Sequence, residues 1–312
     1  PDLTKSIKHR EKIENLGALE EEHLTKVGLP LKNFSGDKRF SLGKGSMGTS
    51  VFVGILKDGS EVAVKRMLVE SCENAAENEK NILSLINTKK SPFIVSYRHF
   101  LKDITFMYLI VDLCEETLDE HVDSQNIQHL RIHGRRMIKE MLTGLKCLHN
   151  QGILHRDLKP SNILVDVEGH MRLADFGIST VLNEDETTAH TDAKGTGGWM
   201  AAEVIATINQ VGKGRFKKKS DIQPAGMIVF FILTKGGHPF GSTLYDRMTH
   251  IMNGNPVNMD TLDDPDARRF VSRLISHRID DRPYADQALL LPLMVNMHYE
   301  GTSRPASTSG GL

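Results

Sequence analysis

The chain has 312 residues, 39% of them apolar, with 39 Lys plus Arg against 40 Asp plus Glu. That length suits one large domain or two lobes, with enough apolar content for a packed interior. The balanced charge argues against a general nucleic-acid binder, which carries a basic excess.

Three cysteines, Cys72, Cys114 and Cys147, are odd in number, widely spaced and without a CxxC pair. They suggest neither a disulfide framework nor a zinc knuckle, and a reducing, cytoplasmic setting fits best. The longest apolar run, AGMIVFFIL at 225–233, is too short to span a bilayer and reads as a buried core helix. The chain opens on Pro1 rather than Met, so it is read as a fragment or processed product, and the lack of a leader says little about its parent.

In chain order, residues 1–33 are charged, with sparse apolar positions at Ile7, Ile13, Leu16, Leu19, Leu24 and Val27. They read either as a marginal amphipathic helix ending near the GLP of 28–30 or as a solvated lead-in. From 38 onward, small, β-branched and aromatic residues alternate around glycines, and DGS at 58–60 marks a hairpin turn before SEVAVKRML at 60–68. A helix is expected over roughly 73–87, followed by strands at 94–100 and 105–112. Beyond 114 the pattern turns helical. The stretch 130–152 carries Ile132, Met137, Ile138, Met141, Leu142, Leu145 and Leu148 at three- and four-residue spacing, with Gly152 as its stop. Short strands are expected at 163–166 and 171–175, helices over about 220–293, and a low-complexity disordered tail at the end. This divides the chain into an extension (1–37), a small β-rich lobe (38–113), a larger helical lobe (114–295) and a tail (296–312), an α+β plan with a ligand cleft between the lobes.

Four motifs carry chemistry. GKGSMG at 43–48 sits between two strand signals, so its glycines mark either ordinary turns or a hairpin whose backbone N–H groups approach phosphate oxygens. Lys65 ends VAVK, and it either faces solvent or meets the same phosphates as a point charge. In the second case it needs an anion from the next helix. Glu79, one turn before Leu83, suits that task better than Glu77. HRDLKPSN at 155–162 gathers a His, an Arg, an Asp, a Lys and an Asn in eight residues. There Asp157 suits acceptance of a hydroxyl proton, Lys159 neutralisation of a phosphoryl group, and Asn162 a metal. ADFG at 174–177 adds Asp175, a hard oxygen ligand suited to Mg²⁺, and the strands on either side of 166–171 allow a hairpin that returns both Asp157 and Asp175 to one cleft. His155 reads as packing.

The ordered set GxGxxG, VAVK, HRDLKPSN, DFG and AAE resembles the protein-kinase signature over about residues 38–293. The resemblance implies a two-lobed kinase fold binding ATP and Mg²⁺. Lys65 would pair with the ATP phosphates and Glu79, Asp157 would be the base assisted by Lys159, and Asn162 and Asp175 would hold Mg²⁺. Leu42, Gly43, Gly45, Gly48, Ala63, Val111, Asp112, Cys114 and Leu164 would enclose the nucleotide, with Val111 gating the pocket and Asp112 and Cys114 bonding adenine through their backbone. Lys159 and the GT of 195–196 resemble the Ser/Thr class. Between Asp175 and Glu203, the residues Ser179, Thr180, Thr187, Thr188 and Thr191 are candidate phosphosites, with Arg156 as the cation such a phosphate would meet. Thr196 would contact the catalytic loop, Asp221 would brace it, and Glu203 would pair with Arg282.

GSMGT, VAVKRML, DLCEETL, GTGGWMAAE and LTKGGHPFG further resemble the kinase of the inositol-requiring enzyme, the unfolded-protein sensor, and its relative the 2-5A-dependent ribonuclease. That likeness implies trans-autophosphorylation and homodimerisation, and an endoplasmic-reticulum anchor for a longer parent. Only 29 of the 312 residues follow Pro283, so the relatives' ribonuclease, and with it any nucleic-acid partner, is not assigned to this chain. The protein substrate is not legible. The sequence also departs from the pattern. Ser50 and Val51 break the usual order of the glycine-rich loop, Ala202 replaces the proline of APE, and Gln223 and Pro224 replace an aromatic and a serine. These changes bring the stability of the 175–203 segment into question and keep a nucleotide-gated scaffold as the rival reading. The basic run GKGRFKKKS at 212–220 reads as a solvated loop or a partner site.

Overall fold

The structure is a computed structural model describing residues 5–44, 48–86, 91–183, 186–191, 194–208 and 214–296. The expected disordered tail, from 297 on, lies outside the described residues.

The N-terminal reading needs correction. Among the described residues of this stretch only Arg10–Gly17 is α-helical (α1), because there the apolar residues Ile13 and Leu16 meet at a spacing that packs, against Phe40 and Val53. A turn at 29–30 follows, and Leu31–Asn33 (β1) joins the first sheet.

That sheet also contains β2 (Ser41–Lys44), β3 (Ser50–Leu56), β4 (Glu61–Leu68), β5 (Tyr97–Lys102) and β6 (Phe106–Asp112). Its order is β1-β3-β4-β6-β5, with β2 also on β3 and every pairing antiparallel. The DGS signal makes the β3–β4 turn. Gly59 has φ 87, and the Asp58 carboxylate accepts from the Ser60 N–H at 2.9 Å. Helix α2 (Val69–Leu85) lies against β4 and β6 and buries Cys72, Ala76, Glu79, Ile82 and Leu83 at one-turn intervals.

After β6 come β7 (Glu116–Thr117), α3 (Leu118–Ser124) and α4 (Ile127–Asn150). Asn126 caps α4 by accepting from the His129 N–H at 2.9 Å. Its buried stripe includes Leu130, Met137, Ile138, Met141, Leu142, Leu145 and Leu148, while Ile132 is 72% exposed, off the stripe to which the periodicity assigns it. Strands β8 (Ile153–Leu154), β9 (Ile163–Val165) and β10 (Met171–Leu173) follow, and β9 and β10 form the expected hairpin.

The next strands, β11 (Thr180–Val181) and β12 (Ala189–Thr191), bind the long segment after Asp175 to the helical lobe through β8 and β13 (Gly214–Phe216). The basic run is therefore not wholly loop. Its residues 214–216 are a strand, while 212 and 213 lie outside the described residues. Helices α5 (Ala202–Ile205), α6 (Ile222–Leu233), α7 (Leu244–Asn253) and α8 (Pro265–Leu274) complete the parts used below. Helix α6 contains the longest apolar run and is buried almost throughout, as its lack of polar residues on every face from 224 to 233 requires. It crosses α8 closely: a Cβ on Gly226 would lie 2.7 Å from side-chain atoms of Leu274 and Ile275. Among the described residues no helix is long and apolar enough to cross a membrane.

Candidate active site

Lys65 projects from β4 and Glu79 from the buried face of α2. Their Nζ and Oε2 stand 2.6 Å apart, and Asp175 Oδ1 lies 3.6 Å from the same Nζ. Burial opposes the charge on Lys65, but Glu79 and Asp175 outweigh it and raise the pKa well above the ordinary lysine value. Asp175 is the mirror case: burial alone would raise its pKa, and Lys65 holds it below the usual range. The other Glu79 oxygen accepts from the Phe176 N–H at 3.2 Å. Glu77 is exposed. Sequence reasoning missed Asn78, whose Nδ2 faces the carbonyls of Phe176, Gly177 and Ser179 at 3.3, 3.1 and 2.9 Å. Its neighbours in sequence carry no sign of that role.

The loop between β8 and β9 is built around Asp157. Thr196 Oγ1 donates to Asp157 Oδ1 at 2.8 Å, and Asn162 Nδ2 donates to Oδ2 at 3.0 Å and to the Asp157 carbonyl at 2.8 Å. Lys159 Nζ donates to Thr196 Oγ1 at 2.7 Å and lies 3.8 Å from Asp157 Oδ2. With its amide nitrogen turned to Asp157, Asn162 has its Oδ1 left to accept or ligate.

Asp221, at the start of α6, holds this loop from below. It accepts from His149 Nε2 (2.9 Å), the His155 N–H (3.0 Å) and the Arg156 N–H (2.9 Å). Burial alone would raise its pKa; the His149 hydrogen bond leads the partners that keep it below the ordinary value. His155 is fully buried, with its ring 5.2 Å from that of Phe176 and Nε2 2.8 Å from the Ala174 carbonyl. Arg156 (φ 72) and Asp175 (φ 59) both occupy the left-handed region, which costs a non-glycine residue about 1–3 kcal/mol. The Asp221 contacts hold the first of these conformations.

Arg156, expected to meet a phosphate on the segment, already touches that segment. It is buried, Nη1 donates to the Ile178 carbonyl at 2.9 Å, and the guanidinium lies 4.2 Å from the Phe216 ring centre.

Of the remaining residues, Leu42 and Gly43 are in β2, and Gly48 has φ 77. Gly45 lies outside the described residues. Ala63 and Val111 face each other across β4 and β6. The Asp112 N–H donates to the Ser96 carbonyl at 3.1 Å and its carboxylate accepts from Arg98 at 2.6 Å. Cys114 is buried just after β6, and burial pushes its thiol up to about 12. Leu164 is half-buried in β9.

The departures from the family pattern compensate each other. Arg282 is 1% exposed and meets Glu203 with two bonds of 2.8 Å. Gln223 Oε1 accepts from Arg282 Nη2 at 2.9 Å and from the Ala202 N–H at 2.8 Å, and Gln223 Nε2 donates to the Ile275 carbonyl at 3.0 Å. A proline at 202 would lack that N–H.

Comparison with known proteins agrees with this geometry. The protein kinase domain model matches residues 37–294. A serine/threonine-protein kinase/endoribonuclease IRE1 of Oryza sativa subsp. japonica is 34% identical over 78% of this chain and 28% of its own length. IRE2 of Homo sapiens, of the same description, is 32% identical over 88% of this chain and 29% of its own length. A probable serine/threonine-protein kinase, ireA of Dictyostelium discoideum, is 30% identical over 82% and 28%. The chain thus spans under a third of the length of these relatives. It belongs to the protein kinase domain family, on the branch of the IRE1-like serine/threonine kinases.

Proposed function

We propose that the chain transfers the γ-phosphoryl group of ATP to serine or threonine hydroxyls of a protein, a second copy of itself among them. The observation that carries the reading is the joint placement of Lys65, Glu79 and Asp175 within ion-pair distance beside an Asp157 oriented through both carboxylate oxygens.

In this reading Lys65, fixed by Glu79, binds the ATP phosphates, and the backbone around Gly43, Gly45 and Gly48 covers them. Leu42, Ala63, Val111 and Leu164 enclose the base, with backbone contacts from Asp112 and Cys114. Asp157 orients the attacking hydroxyl and takes its proton, and Lys159 offsets charge on the transferring group. Such sites work by positioning and by spreading charge more than by covalent chemistry. The donor set of a partly exposed Asp175 carboxylate and the Asn162 amide oxygen fits Mg²⁺, which would neutralise phosphate charge there. A nucleotide-gated scaffold has no need of a base held at both oxygens. The finer expectations belong to the same proposal: the lobe limits 38–113 and 114–295, homodimerisation, a cytoplasmic location, and a longer parent carrying a ribonuclease.

The test compares wild type with Asp157→Asn for transfer from labelled ATP with Mg²⁺, alongside the thermal shift produced by ATP. Transfer should fall by about 10²–10⁴-fold while ATP still stabilises the variant. Undiminished transfer removes Asp157 as the base. Stabilisation of the wild type without any transfer leaves only the scaffold.

A further inference from the structure

Away from the active site, three imidazoles line up where α3 meets the start of α4. His129 and His133 stand one turn apart on α4, so their side chains share a face. Their ring centres are 4.4 Å apart, with the planes inclined at 45°. His121 of α3 is buried and stands edge-on to His129, with 5.5 Å between ring centres. Its Nδ1 lies 2.8 Å from Glu116 Oε1, which anchors that ring.

The spacing of the α4 pair is that of two ligands on one ion. Imidazoles bound through metal–nitrogen bonds of about 2.0–2.1 Å, at angles from a right angle to tetrahedral, have ring centres about 4.4–5.3 Å apart. The separation of His129 from His133 falls at the lower end of that range, so no backbone change is needed to bring both rings to one ion. Both residues are half-buried, which leaves them open to an ion from solvent. Burial first, and then His133 and His121, hold the His129 pKa below its ordinary value, so at neutral pH the ring is uncharged and keeps a lone pair to give. The positive end of α4 and Arg136 oppose a cation, but Arg136 is already paired with Glu140 at 2.7 Å. Imidazole nitrogen suits zinc, nickel and copper dications, whereas Mg²⁺ and Ca²⁺ take oxygen ligands.

We propose that His129 and His133 chelate one transition-metal dication of the zinc, nickel and copper class, with water completing its coordination. His121 stays with Glu116 and is not a ligand. The ion joins residues one turn apart and so clamps the first turns of α4, just inside the Asn126 cap. Among the described residues, Glu20, Glu22 and His23 also bring three ligand atoms within 4.8 Å of one another, but all three are exposed, and they serve as the control. The site uses none of Lys65, Asp157, Asn162 or Asp175 and does not rest on the kinase reading.

The test uses the full chain, stripped of metal and free of nucleotide. Zn²⁺ is titrated calorimetrically into wild type, His129→Gln, His133→Gln and His23→Gln. One equivalent should bind to wild type and to His23→Gln alike, and at least about tenfold more weakly to each of the other two. Affinity unchanged in His129→Gln or in His133→Gln overturns the site, as does a loss confined to His23→Gln. A second measurement needs no substitution. Cu²⁺ is added to the wild type below one equivalent, and pulsed electron paramagnetic resonance counts the imidazoles bound to it. Two are expected; one, or three, overturns the pair as the nitrogen set. The clamp is read by amide hydrogen exchange over 129–133. That exchange should slow about tenfold when free Zn²⁺ stands at ten times its dissociation constant, and exchange indifferent to Zn²⁺ overturns the clamp.

Discussion

A buried imidazole fixes one wall of the segment that leads into α5. His238 Nε2 lies 2.8 Å from the Gly198 carbonyl and so carries the proton, while Nδ1 accepts from the Phe240 N–H at 3.1 Å. A second proton would face that donor. Burial and then the nearby Arg247 lower the pKa from 6.5 to about 3. A depressed folded-state value means that the contribution to stability is fully present above the unfolded value of 6.5 and is lost as pH falls from there towards 3. The loss from this ring is on the order of 1.4 kcal/mol per pH unit within that window. Denaturant unfolding at several pH values between 7 and 4 should show a shallower decline for His238→Gln than for wild type. Parallel declines would mean that the ring titrates as it does in the unfolded chain. Residue-scale chemistry of this kind was legible in the sequence only where a motif carries it. Lys65, Glu79, Asp157, Asn162 and Asp175 stand in local patterns, whereas Asn78, Phe216 and His238 acquire partners only through the fold.

At the scale of elements, the start of α5 and the first turn of α6 answer the question raised by their unusual residues. Ala202 is the first residue of α5, where proline is ordinarily favoured, and such a replacement elsewhere gains about 0.4–1 kcal/mol. Here Ala202→Pro removes the N–H that meets Gln223 Oε1 at 2.8 Å and pushes the ring towards that oxygen, so a net loss of about 1–2 kcal/mol is expected. Gln223→Leu leaves the Ala202 N–H buried without its acceptor and should cost about 1–3 kcal/mol. The double variant no longer has that donor to satisfy, so it should be milder than the sum of the two by roughly 1 kcal/mol. Unfolding free energies for the four proteins measure this, and strict additivity would show that the two residues act independently. Both departures were visible in the sequence as anomalies, but their mutual compensation was not, because the two residues stand 21 positions apart in different elements. Elements governed by local rules read well: the DGS turn, the apolar stripe of α4 and the β9–β10 hairpin. Residues 214–216 read poorly because charge flanks a strand whose only reason to extend is its partner β12.

For the whole molecule, the N-terminal residues act as a strap across both lobes, which the charge and sparse apolar pattern of 1–33 disguised. Ile13 and Leu16 pack on Phe40 and Val53 at the outer face of the small lobe. Just before them, the Ser6 N–H and Arg10 Nη2 meet Glu61 of β4 at 2.8 and 2.5 Å. On the other side of β6, the Ile7 and Lys8 N–H groups donate to Glu115 at 3.1 and 2.6 Å, and Lys8 Nζ reaches Glu116 of β7 at 3.2 Å. The apolar contacts should dominate the energy. Leu16 is fully buried, so Leu16→Ala should lower the unfolding free energy by about 2–5 kcal/mol. Glu115 is half-buried and its bonds are to the exposed Ile7 and Lys8, so Glu115→Ala should cost about 1 kcal/mol or less. It should nonetheless release one end of the strap. Amide exchange at Ile7 and Lys8 should then quicken while Ser6, held by Glu61 in the small lobe, stays protected. Faster exchange at all three amides would mean that the segment is held as one unit by α1 packing and does not join the lobes. Unchanged exchange at Ile7 and Lys8 would remove Glu115 as the anchor on the helical side.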